Sequence, residues 1–228
     1  MDNRKIQALA KALKDKDTAV RRAALEIFEK GLESNAAIPA LMEALKDEDN
    51  YIRLLAVEAI WEIDNEFQEV PAIDVMKTLI EVSSSNNEEE ADKTNLTNVE
   101  RYGWEDDSCT VAESANFVIA DVAGYASAAA PELINMLKDV DAKSRNSIVY
   151  ALSFMLPIKS PLMLEALRDN NAQVRLGIIE VLTLMWDEEL EHNIKAIVLA
   201  LKEALEDKDL VVREAAAKAL QEIEPYQK

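Results

Sequence analysis

Cysteine, histidine, glycine and proline are all scarce in this sequence of 228 residues. The one cysteine, Cys109, excludes a disulfide within the chain and a metal site built only from its own thiolates. The one histidine, His192, cannot form the several-histidine clusters that hold catalytic metals. The sequence also lacks a glycine-rich loop that could cradle phosphate. We therefore predict no catalytic residue, no metal and no cofactor.

Long apolar runs are missing as well. No stretch of about 18 apolar residues is available to span a membrane. Residues 1–5 lack the apolar stretch of a signal peptide. We therefore expect a cytoplasmic protein that does not bind membranes.

Basic residues are outnumbered by acidic ones, 25 against 44, which gives a formal net charge of −19. Such a charge repels nucleic acid and anionic lipid and attracts a basic partner. Charged residues on solvated helix faces would produce the same composition, so both interpretations stay open. The scarcity of helix breakers and the absence of alternating β-branched runs predict an all-α fold.

The most informative pattern is an internal repeat. Five segments share the order Leu, any residue, Asp, any residue, Asp or Asn, three further residues and Arg. They run from Leu13 to Arg21, Leu45 to Arg53, Leu137 to Arg145, Leu167 to Arg175 and Leu205 to Arg213. We expect the leucine to close a first helix, A, and the Asp-rich segment to form a turn that caps a second helix, B.

Apolar residues recur along each helix B with helical spacing. Counted from the arginine, the positions at +2 and +3 are mostly small, and the position at +7 is large and apolar. One such pair of helices cannot bury its apolar stripe alone, so the pairs must stack. The predicted repeats are 3–34, 35–68, 69–127, 128–158, 159–191 and 192–225.

These features resemble the HEAT repeat superfamily, and more closely its short phycobilisome-lyase-type version. The resemblance implies a right-handed α-α superhelix, a HEAT-like solenoid of about six helical pairs, forming a single domain over residues 1–228. In that family the turn Asp and the helix-B Arg bond between neighbouring repeats. The resemblance therefore assigns a structural ladder to Asp15, Arg21, Asp47, Arg53, Asp139, Arg145, Asp169, Arg175, Asp207 and Arg213.

The third repeat contains an acidic insertion at about 83–110. Its helix A covers about 71–82 and its helix B resumes at Val111, with Ala112 at the arginine position. The insertion could be a disordered, solvated loop, because its composition buries little apolar area. Alternatively, Tyr102 and Trp104 could hold the loop against the repeats or provide an aromatic anchor for a partner.

Helix B lines the concave surface in the family that the chain resembles, and positions +1, +5 and +8 should be exposed there. These positions are charged in the end repeats, as in capping repeats, and more apolar in the middle. The predicted concave strip and its acidic rim comprise Leu54, Glu58, Trp61, Glu113, Phe117, Asp121, Tyr150, Phe154, Leu176 and Glu180. An exposed apolar strip commonly marks an interaction site, whereas burial by curvature or by the insertion is the alternative.

We therefore predict a non-catalytic scaffold or adaptor that binds a protein segment with apolar and basic residues, and that binds no nucleic acid. The family resemblance alone suggests an alternative, a subunit of a bilin lyase or isomerase, or a chaperone for a chromophore-bearing protein. A structural spacer without a preferred ligand is the third possibility.

Overall fold

A computed structural model of the chain describes residues 3–29, 35–64, 66–85, 110–157, 160–185 and 190–223. In these ranges twelve α-helices follow one another as six A–B pairs. They are α1 (Asn3–Ala12), α2 (Thr18–Glu29), α3 (Ile38–Ala44), α4 (Asn50–Ile63), α5 (Ala72–Ser83), α6 (Val111–Ala123), α7 (Ala130–Met136), α8 (Ala142–Met155), α9 (Pro161–Ala166), α10 (Ala172–Leu184), α11 (Leu190–Ala204) and α12 (Leu210–Ile223). The regular elements of the described residues are all helical, so the all-α prediction is confirmed.

The Asp-rich turns form because their two acidic positions have different roles. The first one accepts the backbone N–H of the second, as Asp47 Oδ1 does from Asp49 at 3.0 Å. The second one then caps helix B: Asp49 Oδ1 accepts the N–H of Ile52 at 3.0 Å. These bonds satisfy backbone donors that a helix start leaves without partners.

The third pair uses a different cap. Thr110 precedes α6 and forms a capping box with Glu113, in which each side chain bonds the other residue's backbone N–H. Proline begins or precedes helix A in four pairs, where its missing N–H is not needed. These residues are Pro39, Pro71, Pro131 and Pro161.

The described residues divide into two compact units, Met1–Ala126 and Ser127–Lys228. In both units each helix A packs on its own helix B, and successive B helices pack on each other. In the first unit α2 contacts α4 and α4 contacts α6; in the second α8 contacts α10 and α10 contacts α12. The core follows the predicted register, because the +7 residues of the first five pairs are at most 2% exposed. They are Phe28, Ile60, Ile119, Leu152 and Leu182.

No single helix in the described ranges is long and apolar enough to cross a membrane. One bent pair of consecutive helical segments, Val111–Ala123 and Ser127–Met136, is long and apolar enough when the two are counted together, by length and composition only.

Candidate protein-binding site

Two rungs of the predicted ladder connect neighbouring repeats. In the first unit, Arg21 Nε and Nη2 donate to the carboxylate of Asp47 at 2.8 and 2.9 Å. In the second, Arg175 donates in the same way to Asp207 at 2.7 and 2.6 Å. Both arginines are buried, and each uses Nη1 to bond carbonyl groups of its own turn. Hydrogen bonding from Arg175 lowers the pKa of Asp207. These two ion pairs join neighbouring repeats, and their charged groups are engaged in hydrogen bonds to each other.

The ladder prediction was wrong at two arginines, Arg53 and Arg145, neither of which bonds a turn aspartate of the next repeat. Arg53 bonds Asn50 and, at 3.3 Å, Glu81. In the sequence, the insertion stands where the turn that would supply its aspartate is expected. Arg145 bonds Glu180 at 2.9 Å and the carbonyl of Gln173 at 2.8 Å instead of Asp169.

Gly177 explains the route of Arg145. A Cβ atom at Gly177 would lie 3.3 Å from Arg145 Nη2 and 2.7 Å from Leu137 Cδ1. The missing side chain therefore leaves room for the guanidinium to cross toward α10. Asp139 is exposed and forms no ion pair in the part of the chain that the structure describes.

The predicted concave strip was wrong at Leu54 and Glu58. Leu54 is fully buried and Glu58 is 3% exposed. The physical reason is that α4 has four neighbours, α2, α3, α5 and α6, so that it is buried on nearly every side.

The other strip residues retain some access to solvent. Phe154 is 48% exposed and Glu113 is also exposed. Half-buried positions are occupied by Trp61, Phe117, Asp121, Tyr150, Leu176 and Glu180. The two insertion residues of the prediction, Tyr102 and Trp104, lie outside the described residues.

An aromatic cluster of Trp61, Phe67 and Tyr125 forms where α4 and α6 end. The rings of Trp61 and Tyr125 meet edge to face with centroids 5.0 Å apart, and Phe67 lies 5.5 Å from Trp61. Tyr125 is 60% exposed although it is large and aromatic. Such side chains supply much of the energy of protein interfaces when a partner covers them.

The loop that carries Phe67 is held by the buried carboxylate of Asp64. This carboxylate accepts the backbone N–H groups of Gln68, Glu69 and Val70 at 2.8–2.9 Å. Burial opposes its ionisation, but the three donors outweigh burial and lower the pKa of Asp64. Phe67 itself has a φ of 50°, which is unfavourable for a bulky residue. The hydrogen bonds from this loop to Asp64 therefore help to hold the backbone of Phe67 in an unfavourable conformation.

The segments around the cluster carry only acidic charge. Residues 54–76 contain six acidic residues and no Lys, Arg or His, and residues 111–137 contain three acidic residues and none of these cations. Glu62 and Glu66 are exposed and adjoin Trp61 and Phe67 in sequence. The cluster thus combines apolar area with a negative potential, which suits a partner segment that is apolar and basic.

The second unit has its own exposed apolar group. The rings of Tyr150 and Phe154 on α8 meet edge to face at 5.0 Å. Leu184 lies at the same register as Phe154 on the neighbouring α10 and is 53% exposed. Desolvation by burial raises the pKa of Tyr150, so its hydroxyl stays neutral at physiological pH.

A cleft of about 370 Å³ lies beside the Arg175–Asp207 pair. Its polar lining is largely the same ladder and turn residues, joined by apolar residues such as Leu164 and Ile179. Within the described ranges no three His, Cys, Asp or Glu residues are grouped closely enough to hold a metal ion.

A family model for HEAT repeats matches residues 6–90 and 160–227, which together exceed half of the chain. The chain belongs to the HEAT repeat family. The matched ranges include both complete ladder rungs. The unmatched stretch, 91–159, contains most of the insertion and the HEAT repeat in which Arg145 leaves the ladder.

Several solved structures are similar to this HEAT repeat chain. One engineered protein is 17% identical, with 99% of this chain and 98% of that chain covered and a TM-score of 0.36. A second engineered protein is 18% identical, with coverage of 99% and 100% and a TM-score of 0.40. Human deoxyhypusine hydroxylase in complex with glycerol is 19% identical, with coverage of 96% and 84% and a TM-score of 0.34. No curated protein matches the chain.

Sequence reasoning missed Phe67, Tyr125 and Leu184. Leu184 could have been found, because it shares the +9 register of Phe154. Phe67 and Tyr125 lie in connections between HEAT repeats, where helical periodicity makes no prediction.

Proposed function

We propose that this HEAT repeat chain is a non-catalytic scaffold that binds an apolar and basic segment of another protein. The observation that carries the proposal is the aromatic cluster of Trp61, Phe67 and Tyr125. Tyr125 is 60% exposed in a region whose sequence carries only acidic charge. HEAT repeats commonly mediate protein binding, which supports a role of this kind.

Two exposed residues of the second unit, Phe154 and Leu184, together with the half-buried Tyr150, extend the proposal to a second contact. A partner that bound both groups would gain affinity through linkage of two weak contacts. We place the main contact at the aromatic cluster, because it combines three rings, a strained anchor loop and adjacent carboxylates.

Site-specific photo-crosslinking tests the proposal. A photoreactive phenylalanine analogue replaces Tyr125 in the full-length chain, and a matched chain carries the analogue at Leu199, which is also 60% exposed. We expect residue 125 to crosslink repeatedly to segments rich in Arg or Lys and apolar residues, and residue 199 not to do so. Equal crosslinking at both positions, or crosslinks to acidic segments, would contradict the proposal.

Loss-of-function variants complete the test. Tyr125→Ala should abolish recovery of the crosslinked partner in a pull-down while leaving the melting temperature unchanged, because the ring is mostly exposed. Leu199→Ala is the control and should leave recovery intact.

The phycobilisome-lyase-type likeness of the sequence is the basis of a second proposal, a bilin lyase or isomerase subunit or a chaperone for a chromophore-bearing protein. It rests on the repeat signature alone. Mixing the chain with phycocyanobilin should then shift the absorbance spectrum or transfer the bilin to an acceptor, and the absence of both would remove this proposal.

A further inference from the structure

The last described HEAT repeat contains a ladder arginine, Arg213, that bonds through Nη1 only within the described residues. Arg213 Nη1 donates to the carbonyl of Asp207 at 2.7 Å, as Arg21 and Arg175 do to the carbonyls of their own turns. In Arg21 and Arg175 the Nε and Nη2 edge binds an aspartate of the next repeat. In the described part of the chain, the same edge of Arg213 has no acceptor.

The first repeat presents the complementary half of a rung. Asp15 Oδ1 accepts the N–H of Asp17 at 2.9 Å, which is the conformation that Asp47 and Asp207 have in the two complete rungs. Asp15 is exposed, and within the described ranges its carboxylate meets no arginine. A donor edge and its matching acceptor therefore lie in the last and the first described repeat.

Apolar residues on the first repeat are exposed at registers that other repeats bury. Val20 (−1) is 39% exposed and Ile27 (+6) is 52% exposed. The equivalents of Val20 are at most 1% exposed in Ile52, Val111, Val174 and Val212. The equivalents of Ile27 are at most 2% exposed in Ala59, Val118, Ala151, Val181 and Ala219.

The last repeat is exposed at a different set of registers. Ala217 (+4) and Leu220 (+7) are half-buried, whereas Leu25, Val57 and Ile179 at +4 are at most 1% exposed. Leu210 and Val211 at the start of the same helix are 57% and 53% exposed. The two end repeats thus expose different registers of helix B, and these registers are mostly buried in the other described repeats.

The charges of the two end repeats are also opposite. Residues 3–29 contain seven basic and four acidic residues, although the whole chain carries −19. Residues 190–223 contain five basic and seven acidic residues. This asymmetry favours contact between unlike ends and opposes contact between like ends.

We propose that two copies of this chain bind head to tail, with the first helical pair of one copy covering the last helical pair of the other. Arg213 of one copy would donate its Nε and Nη2 edge to the carboxylate of Asp15 of the second copy. Val20 and Ile27 would cover Ala217 and Leu220. Such a contact is heterologous, so it adds copies in a row unless a ring closes.

Charge reversal in the full-length chain tests the proposal by sedimentation velocity over a concentration series. The wild type should sediment faster as concentration rises. Arg213→Glu and Asp15→Arg should each raise the dissociation constant at least about tenfold, because a charge-assisted pair becomes a repulsive one. Mixing the two variants in equal amounts should restore association, since residue 213 of one copy again meets an opposite charge at residue 15 of the other.

Two matched variants control for net charge. Lys218→Glu changes the same helix by the same charge as Arg213→Glu, and Asp139→Arg makes the same charge change as Asp15→Arg at the equivalent turn position of another repeat. Both should associate like the wild type. Ile27→Lys should weaken association without changing the melting temperature, because residue 27 is half exposed.

Three results would overturn the proposal. The first is a wild type that sediments as a monomer at every concentration. The second is association that survives both charge reversals, which would indicate another surface. The third is a mixture of folded Arg213→Glu and Asp15→Arg chains in which association is not restored. Partner capture at Tyr125 is measured separately, so either proposal can fail alone.

Discussion

Removal of the Arg175 guanidinium should cost the chain about 2–3 kcal/mol of unfolding free energy. The side chains of Arg175 and Asp207 are 5% and 12% exposed, and Arg175 forms two bonds to that carboxylate and two to the carbonyls of Asp169 and Asn170. Arg175→Met keeps the stem and removes all four of these hydrogen bonds. A fully buried broken pair costs about 3–5 kcal/mol. We expect less here because Asp207 keeps some contact with water.

A double-mutant cycle separates the pair from its surroundings. Asp207→Asn retains an acceptor for the N–H of Asp209, which Asp207 Oδ1 binds at 2.8 Å. The coupling energy between the Arg175 and Asp207 substitutions should be at least about 1.5 kcal/mol. Arg145→Met is the matched control in the same unit. It should cost about 1 kcal/mol, because Glu180, its carboxylate partner, is 38% exposed.

The pH dependence gives an independent check. The folded pKa of Asp207 is lowered, with the hydrogen bond from Arg175 as the main cause. The contribution of Asp207 to the unfolding free energy is therefore complete above its unfolded pKa of about 3.9 and is lost as pH falls through the folded pKa. Urea unfolding is followed by circular dichroism, with fluorescence as a second probe of two-state behaviour. The difference in unfolding free energy between wild type and Arg175→Met should become smaller below about pH 4. Equal costs for Arg175→Met and Arg145→Met, or a difference that is constant with pH, would refute the reasoning.

Three further predictions concern the insertion, the anchor loop and the glycine contact. Deletion of residues 86–107 leaves five residues between α5 and α6, the length of the other A–B turns, so calorimetry should show a melting temperature within about 4 °C of wild type or higher; a large fall would mean that the insertion stabilises the repeats. Asp64→Ala should lower stability by about 2 kcal/mol near neutral pH and by less in acid, where the carboxylate protonates; a loss that does not depend on pH would contradict this. Gly177→Val should cost about 1–3 kcal/mol in urea unfolding through its clash with Leu137, whereas Gly124→Val, whose Cβ meets nothing within 4 Å, should cost clearly less; equal losses would contradict the packing argument.

The fold was predictable because its signals are local. The eight-residue spacing from leucine to arginine sets one turn and two helix ends, and capping by Asp49 or Asn171 needs no distant residue. The buried register of helix B is equally local, since spacing of three, four and seven residues defines one helix face. The all-α fold of paired helices could therefore be predicted before any contact was known. The single-domain organisation and the superhelical sense stay predictions.

The site was harder to predict because it depends on neighbours. A helical register assumes one buried face, but α4 contacts four other helices, so Leu54 and Glu58 became core residues. Ladder partners also depend on distant positions. Both Arg53 and Arg145 stand at the predicted positions but bind other partners, and Gly177 leaves the room in which Arg145 reaches α10.

The charged positions of the end repeats do not make those repeats caps. Arg22 and Glu214 occupy register +1, and Glu26 and Lys218 occupy register +5. Arg22 bonds Asp49 at the start of the next helix B at 2.7 Å, so a charged residue at +1 can serve the contact between repeats. Apolar residues occupy −1, +2 and +6 of the first helix B and +4 and +7 of the last, and these registers are mostly buried in the other described repeats. A capping repeat needs polar residues there, because that face would otherwise remain in water. Both end repeats thus carry, at these registers, the residue types of internal repeats, which agrees with the proposed contact between two copies.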